Sequence, residues 1–245
     1  MKFIDASGVS YQVLNEIIHR LLENGEEELF VKNVFGHRFV GCGLKGSSKI
    51  IVEGIPGNDL GSYMDGPRIE VLGNSQDGIG NTMNDGTIIV HGNAGDIVGY
   101  SMRGGVIYIR GNVGYRSGIH MKAYQDKFPV IVVGGRAGNF LGEYMAGGVI
   151  IVLGQEPSAN KSTLGDYVGT GMHGGVIYIR GKVESQKLAP EVAVSPIIAE
   201  DKELLQKYID AYCSLFKTKI ELEDEYWTKL VPASSSPYGK MYSHK

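Results

Sequence analysis

Several residue types that carry particular kinds of chemistry are scarce in this chain of 245 residues. Its two cysteines, Cys42 and Cys213, cannot build a disulfide framework or supply four thiolates to a zinc or iron–sulfur site. Its longest apolar runs span a handful of residues, too few to cross a bilayer. Lys and Arg total 24 against 27 Asp and Glu, so no basic excess favours nucleic acid or a membrane surface. The chain begins MKFIDASGVSYQ, which lacks the apolar segment of a secretory signal, so we expect a cytoplasmic protein.

Glycine, by contrast, is abundant: 36 of 245 residues, about twice its average share of roughly 7%. Of these glycines, 29 lie in the range 47–183. Seven short apolar runs in that range end in glycine, and successive closing glycines are 19, 19, 19, 24, 19 and 27 residues apart. Such regular spacing indicates a repeat architecture rather than a flexible linker. The closing glycines are Gly54, Gly73, Gly92, Gly111, Gly135, Gly154 and Gly181.

A second signature, G-x-x-M, lies between successive runs and places six of the eight methionines at one position of the repeat. Thioethers favour Cu(I), so one interpretation of this column is a soft-metal conduit. Methionine also fills irregular gaps in protein cores, and no cysteine accompanies the column. We therefore predict that the column points into the interior. Its members are Met64, Met83, Met102, Met121, Met145 and Met172.

The apolar runs are rich in Val, Ile and Tyr and are bounded by Gly, Asn or Asp, which is typical of short strands with tight turns. A unit of about 19 residues is too short to bury a core alone, so the units must stack on one another. This predicts a mainly β fold, a single-stranded right-handed parallel β-helix of about six to seven coils over 47–183. Residues 1–46 are expected to cap one end, and 184–245 to form a connector, a helix and a tail.

Each flank carries one amphipathic segment. Apolar residues at i, i+4 and i+8 predict a helix over Val9–Gly25, followed by a hairpin of Leu29–Asn33 and Arg38–Cys42. This αββ unit would cover the open strand edges of the first coil. A second helix is predicted from about Glu200, and the tail after it holds the only tryptophan, Trp227. Packing of Trp227 on the chain's own helix and docking on a partner both stay open.

No constellation in the sequence predicts catalysis, a cofactor or a bound metal. The strings GCGLKG and GTGMHG match G-x-G-x-x-G, but each precedes a strand, whereas a dinucleotide site needs a helix there. The six histidines lack metal-ligand spacing, and both cysteines lie in apolar stretches that predict inert buried thiols. An Asn/Asp column at the turns favours turn formation over calcium, whose nonapeptide repeat has a shorter period. We predict no catalytic, cofactor-binding or metal-binding residue in this chain.

Three strings resemble the G-x-x-G-x-x-x-G repeats in the C-terminal domain of the glutamate synthase large subunit. They are GNVGYRSGIHM at 111–121, GEYMAGGVIIVLG at 142–154 and GDYVGTGMHGGVIYIRG at 165–181. The resemblance covers 47–183 and is to the stand-alone, archaeal-type version of that domain, and the tail string WTKLVP is loosely similar to the end of the subunit. It implies a non-catalytic scaffold that docks separate glutaminase and FMN-binding synthase subunits and supports ammonia channelling. It also implies that FMN and iron–sulfur clusters lie in those partners and not in this chain.

Two alternatives stay open. One is a scaffold of formylmethanofuran dehydrogenase, an enzyme in which a non-catalytic chain with the same repeat lies beside redox and amidohydrolase subunits. The other is a self-contained carbohydrate-active β-helix enzyme, which needs paired carboxylates on an exposed face, whereas the 11 acidic residues of the repeat are scattered. For a scaffold, we predict that partners contact the loops Lys122–Pro129 and Gln155–Leu164 and the tail Tyr226–Tyr242. A homo-oligomer is also compatible with the sequence.

Overall fold

The structure is a computed structural model that describes residues 1–155, 162–222 and 227–234. These residues contain eleven strands: β1 (Lys2–Asp5), β2 (Glu28–Phe35), β3 (Lys49–Ile55), β4 (Asp65–Val71), β5 (Asp85–Val90), β6 (Val106–Ile109), β7 (Val130–Val133), β8 (Ala146–Val152), β9 (Gly174–Arg180), β10 (Val192–Ser195) and β11 (Trp227–Pro232). All eleven form one sheet in the order β1-β2-β3-β4-β5-β6-β7-β8-β9-β11-β10. Every neighbouring pair from β1 to β9 is parallel, as in a chain that adds one strand per coil. The predicted parallel β-helix is confirmed.

Equivalent residues of successive strands stack into ladders inside the coil. The pairing register places isoleucine on isoleucine from β3 to β9, and every one of these side chains is fully buried. Burying one such side chain stabilises the fold by about 1.5–3 kcal/mol, and β-branched residues suit the pleated strand. The ladder consists of Ile50, Ile69, Ile88, Ile107, Ile131, Ile150 and Ile177.

The methionine column faces the same core. All six side chains have no exposed surface and belong to the main hydrophobic cluster, so the predicted core position is confirmed. In the first coil Leu44 takes the equivalent place and is also buried.

The glycine of each G-x-x-M signature is required by packing as well as by backbone conformation. Gly99 has φ +69°, and a Cβ built on it would lie 2.5 Å from the Cδ1 atom of Ile131 on the neighbouring coil. Gly80 stands in the same relation to Ile107, and Gly142 to Ile177. The isoleucine ladder therefore fills the space that a side chain at the glycine would need.

The N-terminal cap contains the predicted helix, α1 (Tyr11–Glu23), between β1 and β2. Ser10 caps its start by accepting a hydrogen bond from the Val13 amide, and Gly25 follows its end with φ +91°. Leu14 and Ile18 of α1 are fully buried against the first coil. The helix thus closes one end of the hydrophobic core.

The predicted N-terminal hairpin is wrong. β2 pairs with β1 and β3, both in parallel, and Arg38–Cys42 is a turn rather than a strand. The Phe39 amide donates to the Asn58 carbonyl, and the Gly43 amide donates to the Ser62 carbonyl. The segment therefore stacks on the next coil as an additional corner, because its glycine spacing is that of the repeat.

The predicted C-terminal helix is confirmed as α2 (Ala199–Phe216). It packs on the outer face of β5 to β9 and forms a second hydrophobic cluster there. Trp227 opens β11, which pairs antiparallel with β9, and its side chain is buried in this second cluster. The start of the tail therefore packs on the chain itself.

Candidate docking surfaces

The Asn/Asp column at the turns holds adjacent coils together. Oδ1 of Asp77 accepts from the Asp96 amide at 2.9 Å, and Oδ1 of Asp96 accepts from the Tyr115 amide at 2.7 Å. Asn139 does the same for the Asp166 amide at 3.0 Å. These side-chain oxygens bind backbone amides of the next coil, whereas the sequence predicted that they form their own turns.

A second asparagine ladder was not recognised in the sequence. Oδ1 atoms of Asn74, Asn93 and Asn112 accept from the amides of Asn93, Asn112 and Arg136, each at 2.8 Å. Each asparagine directly follows the glycine that closes an apolar run, so the strings LGN, HGN and RGN contained the signal. Both ladders satisfy backbone amides of the next coil.

The histidines are dispersed, as their spacing predicted. His91 lies 2.9 Å from Glu70 and packs edge-on against Phe216 of α2, with ring centroids 5.2 Å apart. Burial alone would raise the pKa of Glu70, but hydrogen bonds from His91 and Arg68 outweigh it and lower that pKa. The pair ties β4 to β5 at the end of α2.

Three other histidines make local contacts with backbone oxygens. These contacts are His19 with Cys42, His37 with Val9 and His173 with Gly171. Within 1–155, 162–222 and 227–234, no three His, Cys, Asp or Glu side chains are grouped closely enough to hold a metal ion.

Both cysteines are free thiols, and both are half-buried rather than fully buried. Cys42 lies in a corner turn and not in the expected strand, because that segment stacks on the next coil. Burial first, and the Asp59 carboxylate second, raise the pKa of its thiol. A raised pKa leaves less of this thiol as the thiolate at neutral pH.

The two strings that match G-x-G-x-x-G lie at corners of the coil. Gly41 and Gly169 hold the same corner position, with φ +73° and +72°, and each string leads into a strand, β3 or β9. No helix begins there, so neither forms a pyrophosphate cradle.

A buried polar network anchors the start of α2. Asp201 accepts from the Tyr178 hydroxyl at 2.5 Å, the Lys229 ammonium at 2.7 Å and the Ile198 amide at 2.8 Å. Burial alone would raise the pKa of Asp201, but these partners together lower it. The carboxylate joins α2, β9 and β11, since each supplies one partner.

The end of α2 contacts the coil at a gap beside Gly134, which we call the notch. At Gly134 the missing side chain leaves room for the Tyr212 hydroxyl, which donates to the Arg110 carbonyl at 3.0 Å and lies 2.9 Å from Oε1 of Gln155. A Cβ at Gly134 would overlap that hydroxyl. The notch therefore sets the position of α2 along the coil.

Two positions of each corner, four residues apart, form two columns along the coil, which we call the first and second corner columns. Every residue in both has a left-handed backbone conformation, with φ between +51° and +72°. The first corner column is Phe39, Asp59, Gly78, Ile97, Arg116, Phe140 and Tyr167. The second corner column is Gly43, Tyr63, Thr82, Ser101, His120, Tyr144 and Gly171.

Aromatic rings stack along the later corners. His120 stacks on Tyr144 with centroids 5.3 Å apart, and Phe140 stacks on Tyr167 at 5.0 Å. The Arg116 guanidinium lies 5.1 Å from the Phe140 centroid. Tyrosine, histidine and arginine side chains on one surface are typical of protein interfaces.

The predicted loop contacts are only partly described. Lys127 ties the loop Lys122–Pro129 to the first residues of β5 and β4, through Asp85 at 2.7 Å and Asp65 at 3.4 Å. Residues 156–161 of the loop Gln155–Leu164, and 223–226 and 235–245 of the tail, lie outside the described residues. No helix among those described is long and apolar enough to span a membrane.

Two known proteins are similar to this chain over most of its length. An uncharacterized protein, MJ1350, from Methanocaldococcus jannaschii is 47% identical over 249 residues, covering 98% of this chain and 95% of that protein. A chain of the formyltransferase/hydrolase complex FhcABCD from Methylorubrum extorquens, solved in complex with methylofuran, matches with a TM-score of 0.58. That match covers 88% of this chain and 87% of the other at 22% identity, which shows a shared fold.

The prediction of a glutamate synthase subunit, with glutaminase and FMN-synthase partners, is wrong: a solved structure that shares this fold over most of the chain belongs to a formyltransferase/hydrolase complex. The residues that carried the resemblance are the glycines, methionines and turn side chains that build the coil. They identify the repeat and cannot separate one complex from another. The repeat itself is confirmed, since residues 29–233 match the GXGXG motif family, and the chain belongs to that family.

Proposed function

We propose that this chain is a non-catalytic scaffold of a multi-subunit enzyme complex of the formyltransferase/hydrolase type, comparable to the repeat-bearing scaffold of formylmethanofuran dehydrogenase. The observation that carries the proposal is the fold match over 88% of the chain to a component of such a complex. In this proposal the cofactors and catalytic residues belong to partner subunits, and this chain holds none.

The polar groups of the chain support a structural role. The Asn and Asp side chains of both ladders bind amides of the next coil, and the buried ion pair Asp201–Lys229 anchors α2. A stack of coils bonded at every turn is rigid, which suits a part that holds other subunits at fixed distances.

Purification of the tagged chain from its native cells tests this function. We expect catalytic subunits to co-purify, and the preparation to act on formylmethanofuran or a related formylated furan cofactor. The untagged strain, carried through the same purification, is the control. A chain recovered alone, or one bound to subunits without formyl chemistry, contradicts the proposal. Activity of the solitary chain on a polysaccharide would instead favour the carbohydrate-active alternative.

A surface variant tests where partners bind. Lys127→Ala removes the ion pairs that hold the loop Lys122–Pro129 against the starts of β4 and β5. If partners contact this loop, smaller amounts of the catalytic subunits should co-purify with the variant than with wild type. Lys182→Ala, at an exposed lysine of the last coil, is the matched control. Equal recovery with both variants would remove the loop from the interface.

A further inference from the structure

The corner columns hold bulky side chains in a conformation that glycine adopts more easily. Eleven of their fourteen residues are not glycine, and they include β-branched Ile97 at φ +52° and Thr82 at φ +54°. Glycine adopts this left-handed backbone conformation with no steric cost, as Gly78 does with φ +72°. Side chains kept at strained positions on the surface point to a role in binding.

The first corner column is complementary to itself when one copy is reversed. Its first six residues read Phe39, Asp59, Gly78, Ile97, Arg116 and Phe140. In a reversed copy these six residues run in the opposite order. The first residue then lies opposite the sixth, the second opposite the fifth and the third opposite the fourth. Phenylalanine then faces phenylalanine, arginine faces aspartate, and isoleucine faces glycine.

The second corner column obeys the same relation. Reversal brings Tyr63 opposite His120, Tyr144 opposite Gly43, and Thr82 opposite Ser101. The rings of Tyr63 and His120 then face each other, and the large Tyr144 side chain faces a glycine. The small hydroxyl side chains of Thr82 and Ser101 face each other at the centre. Size and polarity match at the first six positions of both columns.

We propose that this corner face binds a second copy of the chain, antiparallel, about a two-fold axis between the third and fourth corners. The axis lies in the interface plane and perpendicular to both rods, so each residue faces a residue of its own column, and every pair occurs twice. Six corners about 4.8 Å apart extend the contact over roughly 24 Å.

The ion pair that spans this interface is already held in position on each copy. Arg116 donates through Nε to Glu143 at 2.8 Å, yet half of its side chain is exposed and its other donors remain available. Asp59 accepts through Oδ1 from Asn81 at 3.0 Å, which leaves Oδ2 for the guanidinium of the second copy. Preorganised charges lose little freedom on binding.

One contact opposes association. Reversal also brings Asp77 opposite Asp96, beside the axis at the edge of the face. Oδ1 of each carboxylate accepts an amide of its own chain, and water at the rim screens the repulsion. Two Arg116–Asp59 pairs with apolar contacts around them outweigh this repulsion.

Sedimentation velocity of the full chain at micromolar concentration tests the proposal. We expect wild type at twice its chain mass of 26.5 kDa in 50 mM salt, with weaker association in 500 mM salt. Asp59→Arg and Arg116→Asp each place like charges together twice, so the Kd of each variant should rise at least about 100-fold. Glu53→Arg, a charge reversal at an exposed strand position, is the control and should stay dimeric.

The decisive sample is an equimolar mixture of the Asp59→Arg and Arg116→Asp chains. One chain then carries two arginines and the other two aspartates, so a heterodimer restores both ion pairs and the mixture should dimerise. Because Arg116→Asp leaves Glu143 without its partner, Thr82→Arg provides a second disruption that does not touch that pair. A monomeric wild type, dimeric single variants, or a mixture that stays monomeric would each overturn the proposal.

Discussion

Replacing Gly99 with alanine should destabilise the fold by about 2–5 kcal/mol. A left-handed backbone costs an L-residue about 1–2 kcal/mol, and Gly99 has φ +69°. The new methyl would also lie 2.5 Å from Cδ1 of Ile131, and overpacking of a dense core costs about 1–3 kcal/mol. The free energy of unfolding, measured by urea denaturation followed by circular dichroism, gives the total.

A double-mutant cycle separates the two costs. Ile131→Val removes the Cδ1 atom that the alanine would meet, and by itself should cost about 0.5–1.5 kcal/mol. In the double variant the clash is relieved and only the backbone cost remains. We therefore expect the double variant to be at least about 1 kcal/mol more stable than the sum of the single effects. Ser101→Gly, which relaxes a left-handed residue at φ +52°, is the matched control and should not destabilise. Additivity within about 0.5 kcal/mol would refute the claim that the isoleucine ladder requires glycine at this position.

Three further substitutions test the buried methionine column, the Asp201 network at the start of α2, and the notch at Gly134 that accepts the Tyr212 hydroxyl. Met102→Asp buries an unpaired charge, so the chain should become insoluble or lose several kcal/mol, and a soluble variant with wild-type stability would place the methionine column outside the core. Asp201→Asn leaves Lys229 unpaired and should cost about 3 kcal/mol at pH 7 by urea denaturation. The pKa of Asp201 is lower in the folded than in the unfolded chain, so its carboxylate stabilises the fold fully above the unfolded pKa. That stabilisation is lost as pH falls through the folded pKa. The difference in unfolding free energy between wild type and variant should therefore shrink below about pH 4. Gly134→Ala should displace the Tyr212 hydroxyl and speed amide hydrogen exchange at the end of α2, and unchanged exchange would show that the notch does not seat the helix.

The correction of the predicted function has a physical origin. A glycine that admits an isoleucine, a methionine that fills a gap and an asparagine that binds the next coil are all needed to form the rod. They recur wherever the rod is used, so strings such as GEYMAGG identify the repeat but not the assembly around it. In our proposal, association depends instead on exposed side chains such as Tyr63 and Arg116, which are not part of the repeat motif.

The elements that the sequence predicted correctly share one property. Each depends on residues that lie a fixed number of positions apart along the chain. Met83 lies 19 residues from Met64 and Met102 and belongs with them to one buried hydrophobic cluster, so the period itself encodes the core. The two helices were predictable for a similar reason, because an amphipathic stripe needs only local periodicity. The hairpin at Arg38–Cys42 failed because two short apolar runs with glycine between them fit a hairpin and a coil corner equally well.

The sequence by itself determined the coil, its core columns and its helices, because each depends on residues one repeat or a few positions apart. Only the tertiary structure decided where α2 lies, since the Tyr212 hydroxyl reaches the Arg110 carbonyl across 102 positions of the chain. The same is true of the corner columns. Their residues share a left-handed conformation and line up only when the coils stack, which places Asp59 and Arg116 at the same corner position three coils apart.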